Sequence, residues 1–138
     1  MVESGSKIKE FDTAEEFTKA FDEAVTAGGK FIVYLTGAIT ECNVSTGLCN
    51  SWCPDCDVAR PFIDKMLAKN TERSVLKGVV QTKEEWVGVA THPYKVHARI
   101  KAGGVPSMVL FDGKNELMRV EDLESFKNED MLNMLLDN

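Results

Sequence analysis

NSWCPDCDVARPF, residues 50–62, places two cysteines three apart at the head of an amphipathic run. Val58, Phe62, Ile63, Met66 and Leu67 share one helical face, which predicts a helix from Pro54 to near Asn70. Cys53 then stands at the helix N-terminus, where backbone N–H groups and the macrodipole favour an anion. The thiolate is the reactive form, and at such positions its pKa falls from about 8.5 to roughly 3.5–7.5. Cys56 lies one turn further in, within reach of a mixed disulfide formed on Cys53. Pro54 suits the first turn, which has no use for its missing N–H. Pro61, inside the helix, is expected to remove one backbone bond and bend it. Asp55 and Asp57 bring negative charge near the sulfurs and oppose thiolate formation. The Cys53 pKa is therefore expected to fall only moderately, as suits a reductant. Either aspartate could accept the Cys56 proton, but solvated charge is the simpler expectation for both.

Upstream, Ser6 to Lys9 is a short β candidate. Asp12 or Thr13 can cap a helix that opens with Glu15 and Glu16 and carries Phe17, Ala20, Phe21, Ala24 and Val25 at helical spacing. Gly28-Gly29 ends it. KFIVYLT, residues 30–36, reads as a buried strand, and a polar stretch from Gly37 to Ser51 reads as loop. Downstream, SVLKGVVQT (74–82) is a third strand, and a loop leads to a short helix at about Tyr94 to Lys101. VPSMVLF and ELMRV flank Asp112-Gly113 and predict an antiparallel hairpin. Asn128 caps a last helix carrying Met131, Leu132, Leu135 and Leu136. The order β-α-β, α-β-α, β-β-α predicts an α/β fold: one central mixed sheet with helices on both faces. Residues 1–138 are expected to form a single domain, with 1–5 a flexible start and 37–51 a loop before the cysteine pair.

The 138 residues are 43% hydrophobic and 28% charged, as in ordinary globular domains. A net charge of −6 speaks against a nucleic-acid partner. No window approaches the roughly 18 apolar residues of a membrane span, and MVESGSKIKEFD lacks the apolar core of a signal peptide. A cytoplasmic location and a monomer are the expectations. Structural disulfides are rare in that compartment.

At SWCPDC together with GGVPSMVLF the chain resembles the thioredoxin fold. Trp52 directly precedes the cysteines, Pro61 follows Cys56 by five residues, and Val105-Pro106 precedes a strand running into a hairpin. The Trp-Cys-Pro-Asp-Cys signature is similar to that of the thioredoxin domain-containing protein 17 group and its plant relatives called Clot. Those proteins also resemble this chain in their insertion, here Gly37 through Ser51, and in a tryptophan-containing segment, here Trp86 to Tyr94. The resemblance implies disulfide reduction with Cys53 as nucleophile and Cys56 as resolving thiol. Trp52, Pro54 and Asp55 would shape the site. Pro106 would be cis, and Val105 would offer its backbone to an extended substrate. No bound cofactor or metal is implied: electrons would come from NADPH through thioredoxin reductase, to be passed to selected proteins or small disulfides such as cystine. The resemblance is broken where ordinary thioredoxins bury an aspartate, since Tyr34 stands there.

Other readings stay open. The spacing C-x6-C-x3-C-x2-C is compatible with a zinc site, although paired short hairpins are the usual arrangement. A redox-sensing or binding module without steady turnover would use the same residues. Cys42 and Cys49 are expected to be free, inert thiols, the alternative being a mutual disulfide or exchange with Cys53. Trp86 is expected to pack, Trp52 to be either substrate platform or lid, and Glu121, Asp122 and Glu124 to form a solvated acidic face.

Overall fold

The computed structural model describes residues 7–138. In chain order it runs β1 (Ile8–Phe11), α1 (Ala14–Ala27), β2 (Lys30–Gly37), β3 (Ile39–Cys42), β4 (Cys49–Ser51), α2 (Pro54–Ala68), β5 (Ser74–Val80), α3 (Pro93–Val96), β6 (Ser107–Asp112), β7 (Asn115–Val120), α4 (Leu123–Phe126) and α5 (Glu129–Asp137). Five strands form one sheet in the order β1-β5-β2-β6-β7. β5 pairs parallel with β1 and β2, whereas β6 pairs antiparallel with β2 and β7. This is the mixed sheet that the element order predicts.

β2 occupies the middle, and every residue from Phe31 to Gly37 is buried. Helices cover both faces, so its sequence is apolar throughout instead of alternating. The two-residue period still sorts its side chains. Phe31, Val33 and Leu35 join Phe17 and Phe21 of α1, Trp86, Tyr94 and Phe111 in one core layer. Ile32 and Tyr34 face the other layer, with Ile63 and Met66 of α2, Phe126 of α4, and Leu132 and Leu135 of α5. Each fully buried side chain of this size stabilises the fold by about 1.5–3 kcal/mol.

Local signals account for most element ends. Thr13 caps α1 by accepting the Glu16 N–H at 3.2 Å, and its hydroxyl donates to the Glu16 carboxylate at 3.1 Å. Gly28, at φ 80°, closes the helix in a conformation that glycine adopts freely. α2 runs unbroken past Pro61, which lies on its exposed side. Asn128 caps α5 as its sequence predicts.

Two expectations are corrected. The segment 37–51 is not a plain loop: β3 and β4 pair as a separate two-stranded sheet. Their strands are too short and polar to register as strands by periodicity. The predicted Tyr94–Lys101 helix stops after Val96. His97 explains this, because its Nδ1 accepts the N–H groups of Arg99 and Ile100 at 3.1 and 3.3 Å, while its Nε2 meets Asp22 at 3.0 Å. Those amides are no longer available to extend the helix. Asp122 caps a one-turn α4, and it and Glu124 are exposed, as expected of a solvated acidic face. Trp86 packs in the core as expected, and His92 both caps α3 and is buried against it. Residues 1–5, expected to be flexible, and Ser6, expected in the first strand, lie outside the described residues.

Gly78 of β5 lets the first core layer close. A Cβ there would stand 2.7 Å from the Tyr94 hydroxyl, 2.8 Å from Leu35 Cδ2 and 3.0 Å from Phe17 Cδ2. Gly78→Ala is expected to destabilise the fold by about 1–3 kcal/mol through overpacking, read as a lower urea midpoint with an unchanged slope. An unchanged midpoint would contradict this packing.

Candidate active site

Cys53 is the N-cap residue of α2, with extended backbone at φ −110° and ψ 103°. Its Sγ accepts the Cys56 N–H at 3.2 Å, taking the place that a serine or aspartate oxygen fills in most helices. Pro54 and Asp55 follow in the first turn, both exposed. The sulfurs of Cys53 and Cys56 are bonded, across a Cα–Cα distance of 5.2 Å. Cys53 retains 5% exposure and Cys56 only 1%. A reactant arriving from solvent therefore meets Cys53 first. The Cys56 sulfur is held from behind by the Gly37 N–H, 3.4 Å away.

The facing wall is the cis Val105–Pro106 bond, which leads directly into β6. The Val105 carbonyl lies 3.5 Å from Cys53 Sγ. This wall is held by side chains that sequence reasoning missed. Ser107 is fully buried, and its hydroxyl bonds both the Gly104 carbonyl and the Glu121 carboxylate. The same Glu121 oxygen accepts the Gly103 N–H at 3.0 Å and an Arg119 N–H at 3.0 Å. Arg119 reaches on to the Ile100 carbonyl and to Glu116, both at 2.8 Å. Its guanidinium, hydrogen-bonded to Glu116, holds that carboxyl below the usual range. Glu121, expected on a solvated face, is thus a brace for the 103–107 turn. One signal existed: Glu121 follows the end of β7 directly and stands two residues after Arg119, the spacing that sets neighbouring side chains on one side of extended chain.

Trp52 is half-buried and fixed, since its indole N–H donates to the Val80 carbonyl at 2.8 Å. It lies over Gly37, where a Cβ would come within 2.9 Å of the indole and 3.0 Å of Cys53 Cβ. Ser51 clamps the other flank by donating to the Cys53 carbonyl at 2.9 Å and accepting the Cys53 N–H at 3.0 Å. Asp57 accepts the Ser51 N–H at 2.8 Å and pairs with Arg60 at 2.8 Å. Asp57 is therefore tied into the scaffold, which corrects the expectation of a solvated charge.

Tyr34 is buried, and burial pushes its phenol above the ordinary value. It stays neutral and offers no carboxylate behind the cysteines. A cavity of about 270 Å³ is lined by Tyr34, Thr36, Gly37, Arg60, Asp64 and Lys77 among others. Thr36 Oγ1 is buried there without a hydrogen-bond partner among the described residues. Cys42 and Cys49, expected to be free thiols, are joined in a second disulfide. The reason is the β3–β4 register, which sets them directly opposite each other with Cα atoms 4.0 Å apart. All four sulfurs are thus paired with one another, and no cluster of metal-ligating side chains occurs among the described residues. Nor is any helix among them long and apolar enough to cross a membrane.

Residues 8–138 match the family described as thioredoxin domain-containing protein 17-like, thioredoxin domain. The thioredoxin-like protein Clot of Arabidopsis thaliana is 34% identical over 102 residues, covering 73% of this chain and 71% of that protein. The Clot protein of Oryza sativa subsp. japonica is 30% identical over 124 residues, covering 82% and 84%. Among solved structures, oxidised thioredoxin O2 of Arabidopsis thaliana superposes with a TM-score of 0.57 at 18% identity, over 95% of this chain and 96% of that one. Thioredoxin of Trypanosoma brucei brucei gives 0.56 at 11% identity, over 95% and 92%. At those identities the structures establish the fold, which is that of thioredoxin. A thioredoxin-like domain with disulfide-forming cysteines makes thiol–disulfide oxidoreduction the general class of its chemistry, carried by cysteines without a cofactor. The chain belongs to the thioredoxin domain-containing protein 17-like family, with the Clot proteins among its relatives.

Proposed function

We propose that this chain is a single thioredoxin-like domain that works as a cytoplasmic disulfide reductase. It would act on selected protein disulfides or small disulfides such as cystine, and be recharged by NADPH through thioredoxin reductase. The observation that carries the reading is the Cys53 sulfur: it caps α2, faces the Val105 carbonyl, and is bonded to the deeper Cys56. In the reduced protein the Cys56 N–H and the helix N-terminus stabilise a Cys53 thiolate. That thiolate attacks one sulfur of the substrate disulfide, and the other substrate sulfur departs as a thiolate. Cys56 then attacks Cys53 Sγ, releasing the second substrate thiol and closing the Cys53–Cys56 disulfide. Two electrons have passed to the substrate, and the reductase must return two.

Each neighbour has a place in this sequence. The Gly37 N–H supports charge developing on Cys56. With Tyr34 neutral, water in the adjoining cavity is the route we assign to the Cys56 proton. Trp52, Pro54 and Asp55 shape the rim, and the backbone of Val105 next to Pro106 offers a carbonyl to an extended substrate chain. A substrate held there pairs backbone to backbone, so the turn must keep its place.

NADPH consumption by the protein with thioredoxin reductase, offered cystine and insulin separately, tests the reading. Cystine turnover well above insulin turnover is expected. Absence of both, with intact thiols, would overturn it in favour of a binding module. Cys53→Ser should abolish turnover, whereas Cys56→Ser should accumulate a mixed disulfide on Cys53 that is visible as added mass. Glu121→Ala should raise the KM for a peptide disulfide several-fold, because the Gly103 N–H and the Ser107 hydroxyl of the 103–107 turn both lose their carboxylate partner. The same variant should leave alkylation of Cys53 unchanged. Equal KM values would mean that the turn needs no brace.

A further inference from the structure

The Cys42–Cys49 disulfide has no part in the reaction just described, yet it bridges the hairpin that leads into the site. β4 ends at Ser51, and Ser51 bonds both backbone groups of Cys53. The base of the hairpin is tied to α2 through Asp57 and through an Arg60 contact to the Cys49 carbonyl at 3.5 Å. Beyond that base it has no core. β3 has 4 residues, all exposed, and β4 has 3. A two-stranded hairpin of this length is marginal in water without a crosslink or a packed face. Its apolar side chains Ile39, Val44 and Leu48 are 47%, 98% and 69% exposed. Cys42 is exposed and Cys49 half-buried, so an incoming thiolate can reach the bond at Cys42. Disulfides exposed in this way are the reducible ones.

We propose that Cys42–Cys49 is a second redox-active disulfide, which takes thiol reductants of the glutathione class and by its state sets how rigidly the hairpin borders the Cys53 site. One reductant thiolate attacks Cys42 Sγ, the bond to Cys49 breaks, and Cys49 leaves as a thiolate and takes up a proton. A second reductant thiolate attacks the reductant sulfur of the mixed disulfide. Cys42 leaves as a thiolate and takes up a proton, and the reductant departs as its own disulfide, having given two electrons to the cysteine pair. The oxidised hairpin holds Asn50, Ser51 and the apolar trio in place and narrows entry to Cys53. The reduced hairpin frays and admits bulkier protein disulfides. The effect on selectivity rests on the reductase reading above, but the redox couple and the fraying do not.

The test uses the whole chain carrying Cys53→Ser and Cys56→Ser, so that only the second pair titrates. Equilibrated in glutathione buffers and alkylated, the folded protein should show both thiols appearing together at millimolar glutathione. Amide exchange over residues 39–51 should accelerate on reduction. A pair that stays oxidised until denaturant is added, or exchange that does not change, would overturn the proposal. In the otherwise native protein, Cys42→Ser with Cys49→Ser should raise the ratio of protein-disulfide to cystine turnover about threefold or more. An unchanged ratio would remove the role in selectivity. If neither protein turns over any disulfide, the reductase reading fails, while the titration and exchange still decide the second couple.

Discussion

The proposed chemistry rests on one hydrogen bond: the Cys56 N–H donating to Cys53 Sγ at the start of α2. Helix N-termini leave backbone donors without partners, and a thiolate, as an anion, can accept from them and be stabilised by them. The interaction that ends the helix is thus the one that favours the charged sulfur. Structure and reactivity share a single contact, and the sheet exists to hold its surroundings.

Those surroundings come from distant parts of the chain. The N-terminus of α2 is fixed by Ser51 from the hairpin and by Gly37 from the end of β2. The opposite wall is the turn entering β6, held by Glu121, just past the end of β7, which is itself bonded to Arg119 of β7. Trp52 links the site to β5 through the Val80 carbonyl. Partly buried ion pairs such as Arg119–Glu121 contribute little net stability as a rule. Here the pair's value lies in placement, because the same Glu121 oxygen also bonds the Gly103 amide and the Ser107 hydroxyl.

What could be read from the sequence follows from range. β2 was legible because its burial on both faces shows as an unbroken apolar run, and α1 because Thr13 and Gly28 mark its ends locally. The Trp-Cys-Pro-Asp-Cys stretch and Val105-Pro106 were legible as patterns. The hairpin at 39–51 was not, since its residues face water on both sides and carry no period. The pairing of Cys42 with Cys49 depends on cross-strand register, which the spacing of cysteines alone does not specify. Glu121 and Asp57 looked like surface charge because each also accepts a backbone amide, from Gly103 and Ser51, that only folding brings near. The end of α3 was hidden in the same way: His97 stops it with a side chain whose other nitrogen is held by α1.

In the proposed reaction the N-terminus of α2 activates Cys53 and not Cys56. The most direct measurement is the rate of iodoacetamide alkylation at each cysteine of the reduced protein as pH is varied, with the modified residue identified by mass. Cys53 is expected to react first, with a pKa below the roughly 8.5 of a free thiol. Prior modification of Cys56, or a Cys53 pKa at or above the free value, would contradict it.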